Sequence, residues 1–184
     1  RIGDLPYIPG VGPTAGLTAA DISHLAFLQA VGFSSAAPDP VATANVNLTS
    51  ATQFTVTYNV TNADSYAGGI ATFDDYGTSG VEFEDLSSLS NITLGLSLSS
   101  GTGDVYLELE DSSGAKDSVR LTGISTTEQF FRVSLSLFSG IDLSEIAGVN
   151  LVLKNGEVPA SAVLNVRIGD LPYIPGVGPT AGLT

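Results

Sequence analysis

Cysteine, methionine and tryptophan are all absent from this 184-residue chain, and histidine occurs once. Without cysteine there is no disulfide and no thiolate metal site, so packing and hydrogen bonding alone must hold the fold. A single histidine, His24, excludes a two-histidine zinc site and leaves only one imidazole for general-base work. No GxSxG elbow or HExxH helix accompanies it. Basic residues are scarce, with 6 Lys and Arg against 19 Asp and Glu and a net charge of −13. That balance argues against nucleic acid or an anionic membrane as partner, since both require clustered Lys and Arg. No stretch reaches the roughly 18–20 apolar residues of a transmembrane helix, and no signal-peptide pattern begins the chain. Charge of either sign is thin, at 14% of residues, and the mean hydropathy is +0.29. The chain is therefore not an acidic disordered tail.

What is present in excess is repetition. Residues 1–18, RIGDLPYIPGVGPTAGLT, recur without mismatch at residues 167–184, a period of 166. An identity of that length predicts a window on a longer tandem array. In that division, residues 1–18 close a preceding repeat and its linker, and 19–40 hold a helix and a loop. Residues 41–171 form the main domain, and 172–184 lead to the next repeat. Pro6, Pro9 and Pro13, interleaved with Gly10, Gly12 and Gly16, suit an extended linker better than a helix or a sheet interior. The Gly10–Gly16 spacing is GxGxxxG rather than GxGxxG, with a proline in the turn, so it is not read as a dinucleotide loop.

Periodicity then divides the repeat. Thr18 and Asp21 stand in capping-box spacing, Ile22, Leu25, Leu28 and Val31 make one stripe, and Gly32 can stop it. That pattern predicts a helix over Thr18–Gly32. From Val41 onward the beat is two residues. Phe54, Val56 and Tyr58 alternate with Thr55 and Thr57, and the same pattern returns at Leu94/Leu96, Leu107/Leu109, Val119/Leu121, Val133/Leu135, Leu151/Leu153 and Leu164/Val166. Ser100–Gly103, Asp111–Gly114 and Asn155–Gly156 punctuate these runs as turns. Roughly eight to ten short strands, each with one buried face, predict an all-β, antiparallel two-sheet jelly-roll sandwich with one short helix near the N-terminus. The sequons at Asn47, Asn59 and Asn91 are read as strand residues.

Four blocks between about Ala67 and Leu171 carry a family likeness: DLSSL at Asp85–Leu89, VYLELEDSSGAKDSVRL, FFRVSLSLFSGIDLSEIAGVNLVL, and the closing strand through Arg167. The segment resembles the galactose-binding-like jelly roll of carbohydrate-binding modules. That resemblance implies glycan recognition by an aromatic platform with polar partners. Tyr106, Glu108, Glu110 and Arg120 alternate against the apolar positions and so share the outer face of one hairpin. The same face has a plainer reading, in which Tyr106 covers a neighbour and Glu108 or Glu110 pairs with Arg120 or Lys116. The resemblance also implies a structural calcium. The densest oxygen supply is Asp74, Asp75, Glu82, Glu84 and Asp85, although no DxDxDG loop is present. Glu82 and Glu84 lie two apart on one strand face, which is not the geometry of a glycosidase pair, so the chain reads as non-catalytic.

Two functions remain. In the first, the chain is a structural repeat of a long extracellular or cell-surface fibre, filament or adhesin stalk. Its neighbours would be further copies, arranged head to tail. Contact would run through Arg1, Ile2, Leu5, Tyr7 and Ile8, and their counterparts Arg167, Ile168, Leu171, Tyr173 and Ile174. In the second, each repeat is a weak lectin-like module acting by avidity.

Overall fold

The computed structural model describes residues 10–14, 27–35, 41–50 and 52–168. Ten strands follow one another: β1 (Gln29–Ser34), β2 (Thr43–Ser50), β3 (Gln53–Asn59), β4 (Tyr66–Thr72), β5 (Asn91–Leu98), β6 (Gly103–Asp111), β7 (Lys116–Ile124), β8 (Gln129–Ser134), β9 (Ile146–Lys154) and β10 (Ser161–Ile168). They form two five-stranded sheets, ordered β1-β4-β9-β6-β7 and β2-β3-β10-β5-β8. Every pairing between named strands is antiparallel. The all-β two-sheet sandwich is thus present.

Its core is where the alternation puts it. In β6, Val105, Leu107 and Leu109 are buried while Tyr106, Glu108 and Glu110 turn outward. Phe54, Val56 and Tyr58 of β3, Leu94 and Leu96 of β5, and Leu164 and Val166 of β10 do the same in the second sheet. Leu121, Val133, Leu135, Leu151 and Leu153 complete the expected set, all buried. A period of two on both inner faces lets side chains of facing sheets interdigitate, and this burial is the main stabilising term. At two of the expected turns, Gly114 (φ +82°) and Gly156 (φ +81°) adopt the left-handed conformation that a side chain would resist.

The helix is corrected. Residues 18–26 lie outside the described residues, but Gln29–Gly32, its expected last turn, belongs to strand β1. That strand pairs with β4 in unbroken register from Gln29↔Thr72 to Ser34↔Ala67. Two members of the expected apolar stripe, Leu28 and Val31, are 63% and 40% exposed. Phe27, outside that stripe, is buried and stacks on Phe73 with ring centroids 4.8 Å apart. A free sheet edge at β4 outcompeted a local helical period, as tertiary pairing routinely does.

Gly32 accordingly acts as a close-approach residue rather than a helix stop. A Cβ there would lie 2.8 Å from the carbonyl oxygen of Ala44, on the strand β2 of the opposite sheet. Gly32→Val is expected to destabilise by about 1–3 kcal/mol through overpacking. Gly80→Ala, with open space around it, is the matched control and should lie within about 0.5 kcal/mol of the parent. Urea denaturation of both variants checks this, and equal midpoints would contradict the strand assignment.

The opposite edge of the sandwich is covered differently. Gly10–Thr14 runs across β7 and β8, the outermost strands of the two sheets. Val11 forms a parallel bridge with Leu121 and packs, half-buried, against the core.

Candidate functional site

The outer face of the first sheet brings the four expected residues together. Registers Tyr106↔Arg120 and Glu110↔Lys116 set β7 beside β6. On the other side, Tyr106↔Val152 and Glu108↔Asn150 set β9, and Gly68↔Val152 and Ile70↔Asn150 set β4. Because side chains alternate, one ribbon of residues therefore crosses the face: Phe33, Gly68, Val152, Tyr106 and Arg120.

The charged groups on that face are paired, whereas the buried Asn150 Oδ1 has no hydrogen-bond partner. Lys116 reaches Glu110 at 3.0 Å and Glu108 at 3.6 Å, and Asn150 Nδ2 donates to Glu108 at 2.8 Å. Arg120 donates to Asp104 through Nε (3.0 Å) and Nη2 (2.7 Å), while Asp104 also accepts from the Gly123 amide at 2.9 Å. The Tyr106 hydroxyl donates to Glu157 at 3.0 Å, and Lys154 Nζ sits 3.8 Å above the Tyr106 ring. Burial, then the Glu157 hydrogen bond and charge, raise the Tyr106 phenol above its ordinary range. Burial opposes the charge of Lys116, but Glu110 and Glu108 outweigh it and raise that ammonium. The quartet thus shares a face, and the Lys116 pairing of the plainer reading is formed.

Beside it lies a groove of about 430 Å³ lined by Phe33, Tyr66, Glu108, Lys116, Val152 and Lys154. Tyr66 is 43% exposed, so its ring is the available platform, whereas Tyr106 is capped by Lys154. A Cβ on Gly68 would lie 2.4 Å from Phe33 Cζ; the missing side chain lets the Phe33 ring lie flat on the sheet. Sequence reasoning missed Phe33 and Tyr66. The first follows the residues read as helical, and glycine-rich β4 carries little hydrophobic alternation to flag the second.

The acidic loop does not converge. Glu82 accepts from the Thr78 hydroxyl (2.6 Å) and the Asp75 amide (2.9 Å). Asp74 accepts from the Glu82 amide (3.2 Å), Asp75 from Gly77 (3.0 Å), and Asp85 from Ser87 (2.8 Å). Glu84 enters a backbone bridge with Ile146. Thr78 first, then the Asp75 amide, hold the Glu82 carboxyl below its usual range. No three acids or histidines among the described residues are grouped so as to hold a metal ion. The carboxylates of Asp74, Asp75, Glu82 and Asp85 close their own loop.

Asp111 is the acid whose role the spacing did not reveal. One oxygen accepts from the Ser113 amide (2.9 Å), the Ser113 hydroxyl (2.6 Å) and the Ala115 amide (3.1 Å), and the other from the Asp142 amide (3.0 Å). It ties a hairpin to the loop before β9, and those donors, Ser113 first, hold its carboxyl below the ordinary range.

Of the expected inter-repeat residues, Arg167 and Ile168 end β10. Ile168 is buried, and Arg167 Nε lies 3.1 Å from Glu128. Arg1, Ile2, Leu5, Tyr7, Ile8, Leu171, Tyr173 and Ile174 lie outside the described residues, as does His24.

No family model and no curated protein matches the sequence. Solved structures do match the fold. The family 11 carbohydrate-binding module of a cellulosomal cellulase of Clostridium thermocellum aligns at 14% identity and a TM-score of 0.51, over 81% of this chain and 95% of that one. The family 11 module from Clostridium thermocellum in complex with a β-1,3-1,4-mixed-linked tetrasaccharide aligns at 14% identity and a TM-score of 0.52, over 77% and 86% of the two chains. An exo-β-agarase aligns at 13% identity and 0.53, over 82% of this chain but 26% of its own length. This chain has the jelly-roll sandwich fold of carbohydrate-binding modules.

Proposed function

We propose that this chain is a non-catalytic structural repeat of a long extracellular or cell-surface fibre, filament or adhesin stalk. The observation that carries this is the unbroken recurrence of residues 1–18 at 167–184, beginning within the last strand of the sandwich. A domain flanked by identical peptides is what one register of a tandem array contains. The internal pairing of Glu108, Glu110, Arg120 and Tyr106 supports a face stabilised in itself. The mass of the native polypeptide tests the reading. Several periods of 166 residues are expected, and a native chain of one period overturns it.

The second reading, a weak glycan-binding module, is favoured by the groove at Tyr66 and Phe33. An exposed ring beside Lys154 and Glu108 is the combination that stacks on a sugar and hydrogen-bonds its hydroxyls. The family 11 module bound to a tetrasaccharide shares this fold. Titration with mixed-linkage β-glucan distinguishes the two readings. Binding that Tyr66→Ala abolishes establishes the second, and no binding to any arrayed glycan leaves the first.

A further inference from the structure

We propose that the β7–β8 edge is a docking site for the peptide Gly-Val-Gly-Pro-Thr. In this chain Gly10–Thr14 fills it, and the identical Gly176–Thr180 fills the same edge on the following copy of the repeat, to which it stands as Gly10–Thr14 stands to this one. The place of Gly176–Thr180 rests on the tandem-array reading; the seat that Gly10–Thr14 occupies does not.

The seat is specific. Val11 N–H donates to the Arg120 carbonyl at 2.7 Å and its own carbonyl accepts from Thr122 N–H at 2.9 Å, so one residue makes a two-bond parallel pairing with β7. Three residues on, Thr14 N–H donates to the Phe130 carbonyl of β8 at 2.8 Å, and Thr14 Oγ1 accepts from the Arg132 amide at 3.1 Å. Between these anchors stands Pro13, which has no N–H to satisfy as the peptide crosses from one sheet to the other. Gly10 can be nothing larger, because a Cβ would meet Thr122 Cγ2 at 2.1 Å. Each letter of the motif up to Thr14, apart from Gly12, thus has a steric or hydrogen-bonding reason. Without the peptide the Arg120 carbonyl, the Thr122 amide and the Phe130 carbonyl lose these partners at a sheet edge, the kind of surface that recruits another chain.

Gly176–Thr180 carries the same five residues, yet the matching edge of its own domain is already occupied by Gly10–Thr14. The complementary surface is therefore on another copy. Seven residues, 169–175, separate buried Ile168 from Gly176, a reach of at most about 29 Å. Docking would thus hold consecutive sandwiches as near neighbours. The contact is head-to-tail and does not close on itself, which is the geometry of a filament.

The test uses the full chain with Gly10→Leu and Val11→Pro, which unseat the N-terminal peptide and leave 167–184 unchanged. This variant is expected to self-associate with concentration. A synthetic RIGDLPYIPGVGPTAGLT peptide should dissolve that association, shift the Thr122 and Phe131 amide resonances, and raise the melting midpoint by about 5–10 °C at a hundredfold excess over Kd. A peptide carrying the same two substitutions should do none of these. Thr14→Ala, which removes only a side-chain acceptor, gives a smaller peptide-dependent shift and decides the matter if the double variant does not fold. No peptide-dependent change in the folded variant overturns the docking and leaves the array resting on covalent repetition. A native chain of one period removes the array and leaves peptide docking intact.

Discussion

Truncating Leu151 to alanine is expected to lower the unfolding free energy by about 2–5 kcal/mol, toward the upper end of that range. Leu151 is fully buried on β9, the central strand of the first sheet. Its neighbours in register are Gly69 on β4 and Leu107 on β6. The cost of such a truncation has two parts, the lost transfer energy of the methyl groups and the cavity left behind. The second depends on whether the surroundings can collapse. Gly69 has no side chain to move into the space, and its backbone is already tight against the other sheet, with a hypothetical Cβ 2.7 Å from Val56 Cγ2. The void should stay open. In urea, the midpoint should fall with the slope unchanged, since the surface exposed on unfolding is nearly the same. The thermal midpoint should drop by roughly 10 °C for a domain of this size. Leu28→Ala, at a position 63% exposed, should change stability by no more than about 0.5 kcal/mol. A loss below about 1 kcal/mol at Leu151 would mean that the sheets do not pack as described.

The second large effect appears at alkaline pH. Tyr58 is buried on β3, and its hydroxyl has no hydrogen-bond partner. Desolvation pushes its phenol up to about 12 from an ordinary 10.0. The folded protein therefore holds that proton more tightly than the unfolded chain, so stability falls as pH rises. The contribution is fully present below pH about 10 and is lost as pH climbs through about 12, amounting to about 2–3 kcal/mol. Tyr58→Phe should abolish this share of the alkaline loss. At neutral pH the same variant should match the parent or exceed it by up to about 1 kcal/mol, because it removes a polar atom buried without a partner. Tyr106, whose phenol is also raised, keeps some pH dependence in the variant. Urea midpoints at pH 7 and pH 11.5 decide the matter. A Tyr58→Phe variant that is less stable at pH 7, or equally sensitive to alkali, would contradict the unpartnered hydroxyl.

Strands β6 and β1 show how far local pattern reaches. At β6, Val105, Leu107 and Leu109 alternate with Tyr106, Glu108 and Glu110, and that order alone states which side chains are buried and that the charged ones share a face. At β1 it misleads. Ile22, Leu25, Leu28 and Val31 have helical spacing, but Gln29–Ser34 is a strand because β4 offers an edge to pair with. Glycine-rich β4 is nearly silent, so Tyr66 and the groove beside it could not be foreseen. The acids Asp74, Asp75, Glu82, Glu84 and Asp85 cluster in sequence, yet the carboxylates of Asp74, Asp75, Glu82 and Asp85 accept from donors of their own loop. Clustering in sequence does not fix where a carboxylate points.

By itself, then, the order of residues determined the alternating faces of β3, β5, β6, β9 and β10, the turns at Gly114 and Gly156, and the repeat of period 166. A strand's pleat, a turn's left-handed residue and an identity between segments are all local or literal properties of the chain. Tertiary structure decided the rest: that Gln29–Ser34 joins β4, that Lys154 caps Tyr106 while leaving Tyr66 open, and that Gly10–Thr14 seats on β7 and β8. Each of those depends on a sheet edge or side chain supplied by a remote part of the chain, and period or propensity in the nearer segment carries no record of it.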